Sequence, residues 1–253
     1  MKISVVTSVY NRAGTIADAV NSLRRQRHSD VEHIVQDGGS TDGTIGILNA
    51  LAAPEMLVES AKDTGIYDGI NRGIRRATGD VIGLLHSDDL LASDHILDNV
   101  AQAFSDPAID GVYGDLLYVA SDDPSRVVRY WRSGPYSANR LAWGWMPPHP
   151  TLYLRRSVFD AFGFYDTDFR IAADYEAMLR FLVGGGIRLG YLPEVMVRMR
   201  VGGESNRSLG RILRKSREDY RAIRRHGVGG IGTLLAKNFS KVGQFISKEE
   251  QKI

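Results

Sequence analysis

The sequence predicts an α/β fold built on a mostly parallel sheet and extended at its C-terminus by helices. Two observations carry that expectation. Short β-branched runs alternate with amphipathic stretches at α/β spacing over the first third of the chain. The run at 80–86 is also apolar enough for a strand buried on both faces. Strands joined by crossovers of that length pair in parallel with right-handed connections. A chain of 253 residues supports a full core without staples, and 43% apolar with 25% charged residues is an ordinary globular composition. The absence of cysteine excludes disulfides, thiolate nucleophiles and Cys-based metal centres.

The elements follow in order. Residues 3–9 read as the first strand, and 15–26 as a helix with Ile16, Ala19, Val20 and Leu23 on one face. Residues 31–36 form a second strand, followed by the turn DGGSTDG and a helix through Ile45, Leu48 and Leu51. Strand three is expected at 56–59, a helix at 66–77 and strand four at 80–86. Strands at 111–120 and 127–131, expected as an antiparallel pair, open the second half, and an aromatic and proline-rich loop over 136–150 follows. A short strand at 151–154, helices at 158–162 and 173–183, and one or two strands over 189–200 complete the body. Helices over 209–226 and 231–248 close the chain. The GVGGIG run at 227–232 matches a dinucleotide fingerprint but follows a basic helix, so it reads as a helix stop and joint. A domain of 1–204, with halves of about 1–110 and 111–204, thus precedes a basic extension at 205–253.

Charge divides along the same line. Twelve Lys and Arg against four Asp and Glu fall in residues 205–253, and 20 against 26 in residues 1–204. An acidic body does not suit nucleic-acid binding; it suits a site that collects cations, with a separate basic patch for anions. No apolar run approaches the roughly 20 residues that span a bilayer, and no signal peptide is read at Met1. The expected location is the cytoplasm.

Carboxylates stand where the strands end. Asp37 closes strand two, and Asp88 and Asp89 follow strand four directly. In a parallel sheet these tips share one rim, where ligands bind. Like charges collected there call for a cation, and hard oxygen donors suit Mg²⁺ or Mn²⁺ completed by phosphate and water. Asp-rich turns also cap and close loops without any ligand, and Asp42 reads that way.

Taken together, these stretches resemble family 2 glycosyltransferases, the inverting nucleotide-sugar enzymes of the GT-A fold with its Rossmann-like sheet. ISVVTSVYNR at 3–12 is similar to their opening strand, and HIVQDGGSTDGT at 33–44 to their second strand and turn. DTGIYDGINRG at 63–73 resembles an element of the bacterial branch that makes O-antigen-type and other cell-surface polysaccharides. Gly69 and Ile70 stand where that branch often has Ala-Met, and Arg72 where it has Lys. GDVIGLLHSDD at 79–89 ends in a version of the metal-binding D-x-D motif. The resemblance covers about residues 1–200. It implies that Thr7, Val9 and Tyr10 line the nucleotide pocket and that Asp37 accepts hydrogen bonds from the base. It further implies Asp63 and Asn71 near the donor, Arg72 at the diphosphate, Asp88 at the ribose or sugar, and Asp89 on a divalent cation. A metal at that place would stabilise the departing diphosphate.

An inverting transfer also needs one general base opposite the leaving group. The resemblance assigns Asp174, in IAADYEAMLR at 171–180, with Glu176 and Asp168 as alternatives. A helix-start acid also favours the macrodipole. His149, in PPHPTLYL, suits the diphosphate or acceptor, or plain packing. Trp143 and Trp145 suit stacking on acceptor sugars, or loop packing. Asp115 matches another recurrent family position, and Arg207, beyond GGES at 202–205, would reach phosphate when a loop closes.

The acceptor so implied is a saccharide, free or carried on a polyprenyl diphosphate. The last helix aligns Ile231, Leu234, Leu235, Phe239, Val242, Phe245 and Ile246 in one stripe, with Lys237, Lys241 and Lys248 beside it. Such a helix lies on the inner face of a bacterial membrane, packs on its own domain or meets a dimer partner; the oligomeric state stays open. Two other activities compete, a sugar nucleotidylyltransferase and a non-catalytic nucleotide- or carbohydrate-binding module. The first lacks its Gly-rich opening loop, and the second leaves the set Asp37, Asp88, Asp89 and Asp174 unexplained.

Overall fold

The computed structural model describes residues 1–202 and 209–243, and a mixed sheet forms the spine of these residues. β1 (Ile3–Val9), β2 (Val31–Asp37), β3 (Met56–Ser60) and β4 (Val81–Leu84) run parallel in the spatial order β3-β2-β1-β4. α1 (Ile16–Arg24), α2 (Thr44–Ala50) and α3 (Ile66–Arg76) are the connecting helices. Every residue of β1 is buried, so its side chains alternate between two covered faces. Ile3 and Val5 join Ala19 and Leu23 of α1, whereas Val6 meets Ile70 and Ile74 of α3. Gly73 is required at that second contact, because a Cβ there would collide with the Val6 side chain.

The second half inserts into the same sheet with mixed polarity. β6 (Gly111–Val119) pairs antiparallel with β7 (Val127–Trp131), and β8 (Tyr153–Arg155) lies antiparallel between β4 and β6. β9 (Leu189–Arg200) is one long strand parallel to β6, with its register slipping around Asp115. Two elements were unforeseen: β5 (Leu90–Leu91), which pairs with β9, and α4 (Ile96–Ala103). Both are short. α4 buries only Ile96, Leu97 and Val100, too few apolar positions to stand out as a helical period. Strand four is shorter than expected because the chain turns at once, with the Asp89 N–H donating to the His86 carbonyl.

α5 (Arg156–Phe162) and α6 (Ala173–Leu179) pack on one face of the second half, α6 running on into a wider turn at Arg180–Gly184. α7 (Leu209–Arg225) and α8 (Ile231–Gly243) then pack back on the body. Ala222 and Ile223 of α7 belong to the same apolar cluster as Phe169, Ala173 and Phe181. Gly227, at φ +66, ends α7, consistent with a joint rather than a nucleotide loop. Lys237, expected on the polar side of the last helix, is instead buried. Its Nζ lies 2.6 Å from Asp219 Oδ1 and over the Tyr175 ring. Arg207 with residues 203–205, and Phe245, Ile246 and Lys248, lie outside the described residues. No helix among the described residues is long and apolar enough to cross a membrane.

Candidate active site

The loop after β1 gathers the strand ends. Asn11 adopts a left-handed φ of 51°, which Asn tolerates better than most residues. Its N–H donates to Ser40 Oγ and its Oδ1 accepts from the Thr41 N–H, while the Arg12 N–H donates to Thr44 Oγ1. On the other side Thr15 Oγ1 donates to the Ser87 carbonyl, and the Arg12 guanidinium stands 3.9 Å from Asp88. The turns after β1, β2 and β4 are therefore laced together at the carboxyl ends of the parallel strands. Asp37 and the Asp88–Asp89 pair share that rim. Asp42 accepts from Ala13 N–H and Thr44 N–H and is a turn former.

Asp37 is wholly buried, and its Oδ2 accepts from the Gly39 and Ser40 N–H groups and from the Ser60 hydroxyl. Burial pushes its carboxyl up, but the bonds from Ser40, Ser60 and Gly39 outweigh that and hold it below the usual range. Its Oδ1 is buried with no partner. Asp63 closes on the same turn. A Cβ at Gly38 would come within 2.7 Å of its carboxylate, and one at Gly69 would collide with Ser8 Oγ and crowd Asp63. That crowding accounts for glycine where the similar branch often carries alanine. Burial raises the Asp63 carboxyl.

Asp89 is 1% exposed. Its Oδ1 accepts from the Arg200 N–H, and its Oδ2 is buried without a partner. Burial, then the Asp88 charge, pushes its carboxyl well up despite Arg200. Arg200 fastens this turn by donating to the Asp88 carbonyl and to Asp18 Oδ2, at 2.6 Å.

Across the rim stands Asp174, half-buried at the start of α6. Tyr67 of α3 donates its hydroxyl to the Ile171 carbonyl, at 2.9 Å, and approaches Asp174 Oδ1 at 3.2 Å. Burial, then the Asp174 charge, holds the Tyr67 phenol well above its usual range. The Tyr165 hydroxyl meets His149 Nε2 at 2.8 Å, and the His149 ring lies 5.9 Å from that of His86. These side chains link the turn after β4 to the start of α6.

The family model for glycosyl transferase family 2 matches residues 4–171. The chain belongs to that family. An uncharacterized glycosyltransferase of Mycobacterium tuberculosis is 34% identical over 180 residues, 70% of this chain and 68% of that one. A PGL/p-HBAD biosynthesis glycosyltransferase of Mycobacterium bovis is 29% identical over 208 residues, 80% of this chain and 78% of that one. The fold is that of GT-A glycosyltransferases. A Pyrobaculum calidifontis mannosyltransferase solved with GDP-Man and Mn²⁺ has a TM-score of 0.68 at 20% identity, covering 94% of this chain and 69% of that one. Staphylococcus aureus TarS 1–349 with UDP scores 0.64 at 18% identity, covering 100% of this chain and 76% of that one. This chain spans 46% of a longer TarS chain that it also matches.

For this family 2 glycosyltransferase the site residues expected from sequence separate into three groups. Tyr10, 58% exposed, Asp37, Asp63, Asp88 and Asp89 stand at the rim, and Asp174 faces them from α6. A second group is engaged in the framework. The Thr7 hydroxyl bonds His33 inside the sheet, and Val9 packs with Ile16, Val35 and Leu48, so neither side chain opens onto the pocket. Asn71 spends both ends of its amide on the Tyr165 backbone, fixing α3 to the 163–169 loop. Asp115 accepts from the Ser133 N–H and from Tyr130 and Tyr191 hydroxyls, which makes it the anchor of the β6 bulge. Trp145 donates to the Ser133 carbonyl and packs on Tyr113 and Tyr136. Glu176 is fully buried against Arg180 and His226, holding α7 on α6, and Asp168 is exposed beside Arg221. Arg72 is the intermediate case, forked on Asp68 but only partly covered. Trp143 is 73% exposed and keeps a free face.

Three residues had no assigned role. Tyr67 sits inside the 63–73 motif, where an aromatic reads equally as packing, and Tyr165 lies in the loop that precedes α6. Arg200 ends a strand, and only the fold shows it meeting Asp89. Among the described residues no three acids or histidines form a metal-ligating cluster. The donor chemistry still fits a divalent cation held by Asp89 alone from the protein, because its orphaned buried oxygen is a hard anionic ligand and a diphosphate would supply the others.

Two buried histidines set an acid limit. Burial, with Arg24 adding repulsion, pushes His33 down to about 3, and burial pushes His149 down to about 4 despite Asp174. Each titrates near 6.5 when unfolded, so below that pH the unfolded chain binds protons that the folded chain refuses. Folding stability should therefore fall by about 2 kcal/mol per histidine between about pH 7.5 and about pH 5. Urea unfolding at both pH values measures it, and a His33→Gln, His149→Gln double variant should show a flatter pH dependence.

Proposed function

We propose that this glycosyltransferase moves a sugar, with inversion at the anomeric carbon, from a UDP-sugar to a saccharide acceptor in cell-surface polysaccharide synthesis. The observation that carries the reading is the pair of buried carboxylate oxygens without partners, Asp37 Oδ1 and Asp89 Oδ2, on one rim. Buried acceptors left unsatisfied by the protein call for a ligand that donates to them. A uracil imide N–H suits Asp37, and Tyr10 offers a ring beside it. The related TarS structures hold UDP and UDP-GlcNAc, and the related mannosyltransferase holds GDP-Man with Mn²⁺.

In this reading Asp89 would hold a Mn²⁺ or Mg²⁺ ion, which would supply charge neutralisation for the departing nucleoside diphosphate. Asp37 and Asp63 fix the nucleoside, and Asp88 orients the ribose or sugar. Asp174 takes the proton of the acceptor hydroxyl as that oxygen bonds to the anomeric carbon and the bond to the diphosphate breaks. Tyr67 holds the Asp174 carboxylate toward the acceptor. The acceptor is a saccharide, free or carried on a polyprenyl diphosphate, and the lipid-linked form would put the enzyme at the inner face of a bacterial membrane.

A thermal-shift panel of UDP-, GDP- and dTDP-sugars with and without Mn²⁺ tests the donor. The expected result is a shift with UDP-sugars that requires the metal. No shift with any nucleotide sugar, or a metal-independent one without turnover, refutes the reading.

A further inference from the structure

The C-terminal helix is packed inside out. α8 turns Thr233 and Lys237 to the body, and Lys237 is 2% exposed, ion-paired with Asp219 and set over Tyr175. The close approach is tight: a Cβ at Gly144, itself at φ +74, would collide with the Lys237 backbone and side chain. At 3.6 residues per turn the opposite face carries Ile231, Leu235 and Phe239. These three are 64%, 49% and 69% exposed. An amphipathic helix that served only its own core would bury that stripe and free the lysine. This one fixes the lysine by a buried ion pair and leaves the apolar stripe outside.

α7 sorts its charges the same way. It has two acids, and both face the body: Asp219 holds Lys215 and Lys237, and Glu218 accepts from the Ile171 and Ala172 N–H groups. Its outward stripe of Leu213, Arg217, Tyr220 and Arg224 recurs at helical spacing and carries no acid. α8 as far as Gly243 has no acid either. Lys215, Arg221, Arg225 and Lys237 are tied to the body, whereas Arg217 and Arg224 lie on the side of α7 that looks away from it.

We propose that the outward faces of α7 and α8 form a docking surface for an anionic phospholipid bilayer. Phe239, Leu235 and Ile231 enter the boundary between headgroups and acyl chains, and Arg217 and Arg224 pair with headgroup phosphates. Charge selects this occupant over a second copy of the chain, which would set the same arginines against each other. Exposed Trp143, next to Gly144 where the loop meets α8, adds an aromatic suited to the interface. The surface does not depend on the sugar donor, since lipid binding needs no turnover.

Co-sedimentation of the full chain with vesicles tests it. Wild type should pellet with phosphatidylglycerol vesicles at low salt and stay in solution with phosphatidylcholine vesicles. The double variant Leu235→Glu, Phe239→Glu should lower the partition coefficient by at least roughly tenfold, and Arg217→Glu, Arg224→Glu should remove the salt-sensitive part. Both pairs are exposed, so circular dichroism and the donor-induced thermal shift should match wild type. Equal pelleting of wild type and the Leu235, Phe239 variant overturns the proposal. So does wild type that ignores anionic vesicles, or a wild-type dimer by light scattering that the same variant makes monomeric. Loss of donor binding with vesicle binding intact would strike the proposed reaction alone.

Discussion

Asp174→Asn should lower sugar transfer by two to four orders of magnitude while leaving metal-dependent donor binding unchanged. The magnitude is what a positioned general base contributes to a proton-transfer step. The selectivity follows from place: Asp174 stands at the start of α6, apart from the turns that carry Asp37 and Asp89. An asparagine keeps the shape and can still accept from Tyr67 through its side-chain oxygen, so the helix start should not move. Tyr67→Phe supplies the comparison. It deletes a hydroxyl that reaches both Ile171 O and Asp174 Oδ1, and should reduce kcat by no more than about tenfold with KM for the donor unchanged. Single-turnover transfer and donor titration of both variants separate a lost base from a loosened one. Equal losses in donor affinity and rate for Asp174→Asn would place the residue in the donor site. Retained transfer would send the search for the base elsewhere, and Glu176 is already committed to Arg180 and His226.

The parallel half of the fold was legible because β1, β2 and β4 are short buried runs and the helices between the strands carry an apolar period. The rim acids were legible for the same reason, since a parallel sheet leaves little freedom in where strand ends point. What stayed hidden depends on contacts distant in sequence. Asn71 and Asp115 sit in motifs, yet their side chains are consumed by Tyr165 and by the Tyr130–Ser133–Tyr191 set. Thr7 points to a sheet face that only the register with His33 defines. Lys237 is the sharpest case. Periodicity puts it on the polar side of its helix, and that assignment is correct for the helix alone. The partner that draws this side inward, Asp219, lies on another helix, so no window on α8 contains the information.

Asp89→Asn should remove the metal-dependent thermal shift and, in the absence of ligands, raise the melting temperature. The two effects have one cause. Asp89 is held in a buried place where Oδ1 has a partner and Oδ2 has none, beside the like charge of Asp88. Leaving a buried polar atom unsatisfied costs roughly 1–3 kcal/mol, and more when it bears charge. The neutral amide keeps the bond from the Arg200 N–H through its own oxygen and drops the charge. A gain of about 1 kcal/mol would move the transition upward by about 2–4 °C in a domain of this size. The same substitution loses the anionic oxygen that a hard cation requires. Differential scanning calorimetry without ligand, then with Mn²⁺ and a UDP-sugar, reads both. If the variant melts lower than wild type without ligand, the Asp89 carboxylate contributes to the fold and the orphaned oxygen is satisfied in solution. If it keeps the metal-dependent shift, the cation is held by another group. Only a carboxylate that is kept at the expense of the free protein, for the sake of something that binds it, gives a higher melting point together with a silent metal response.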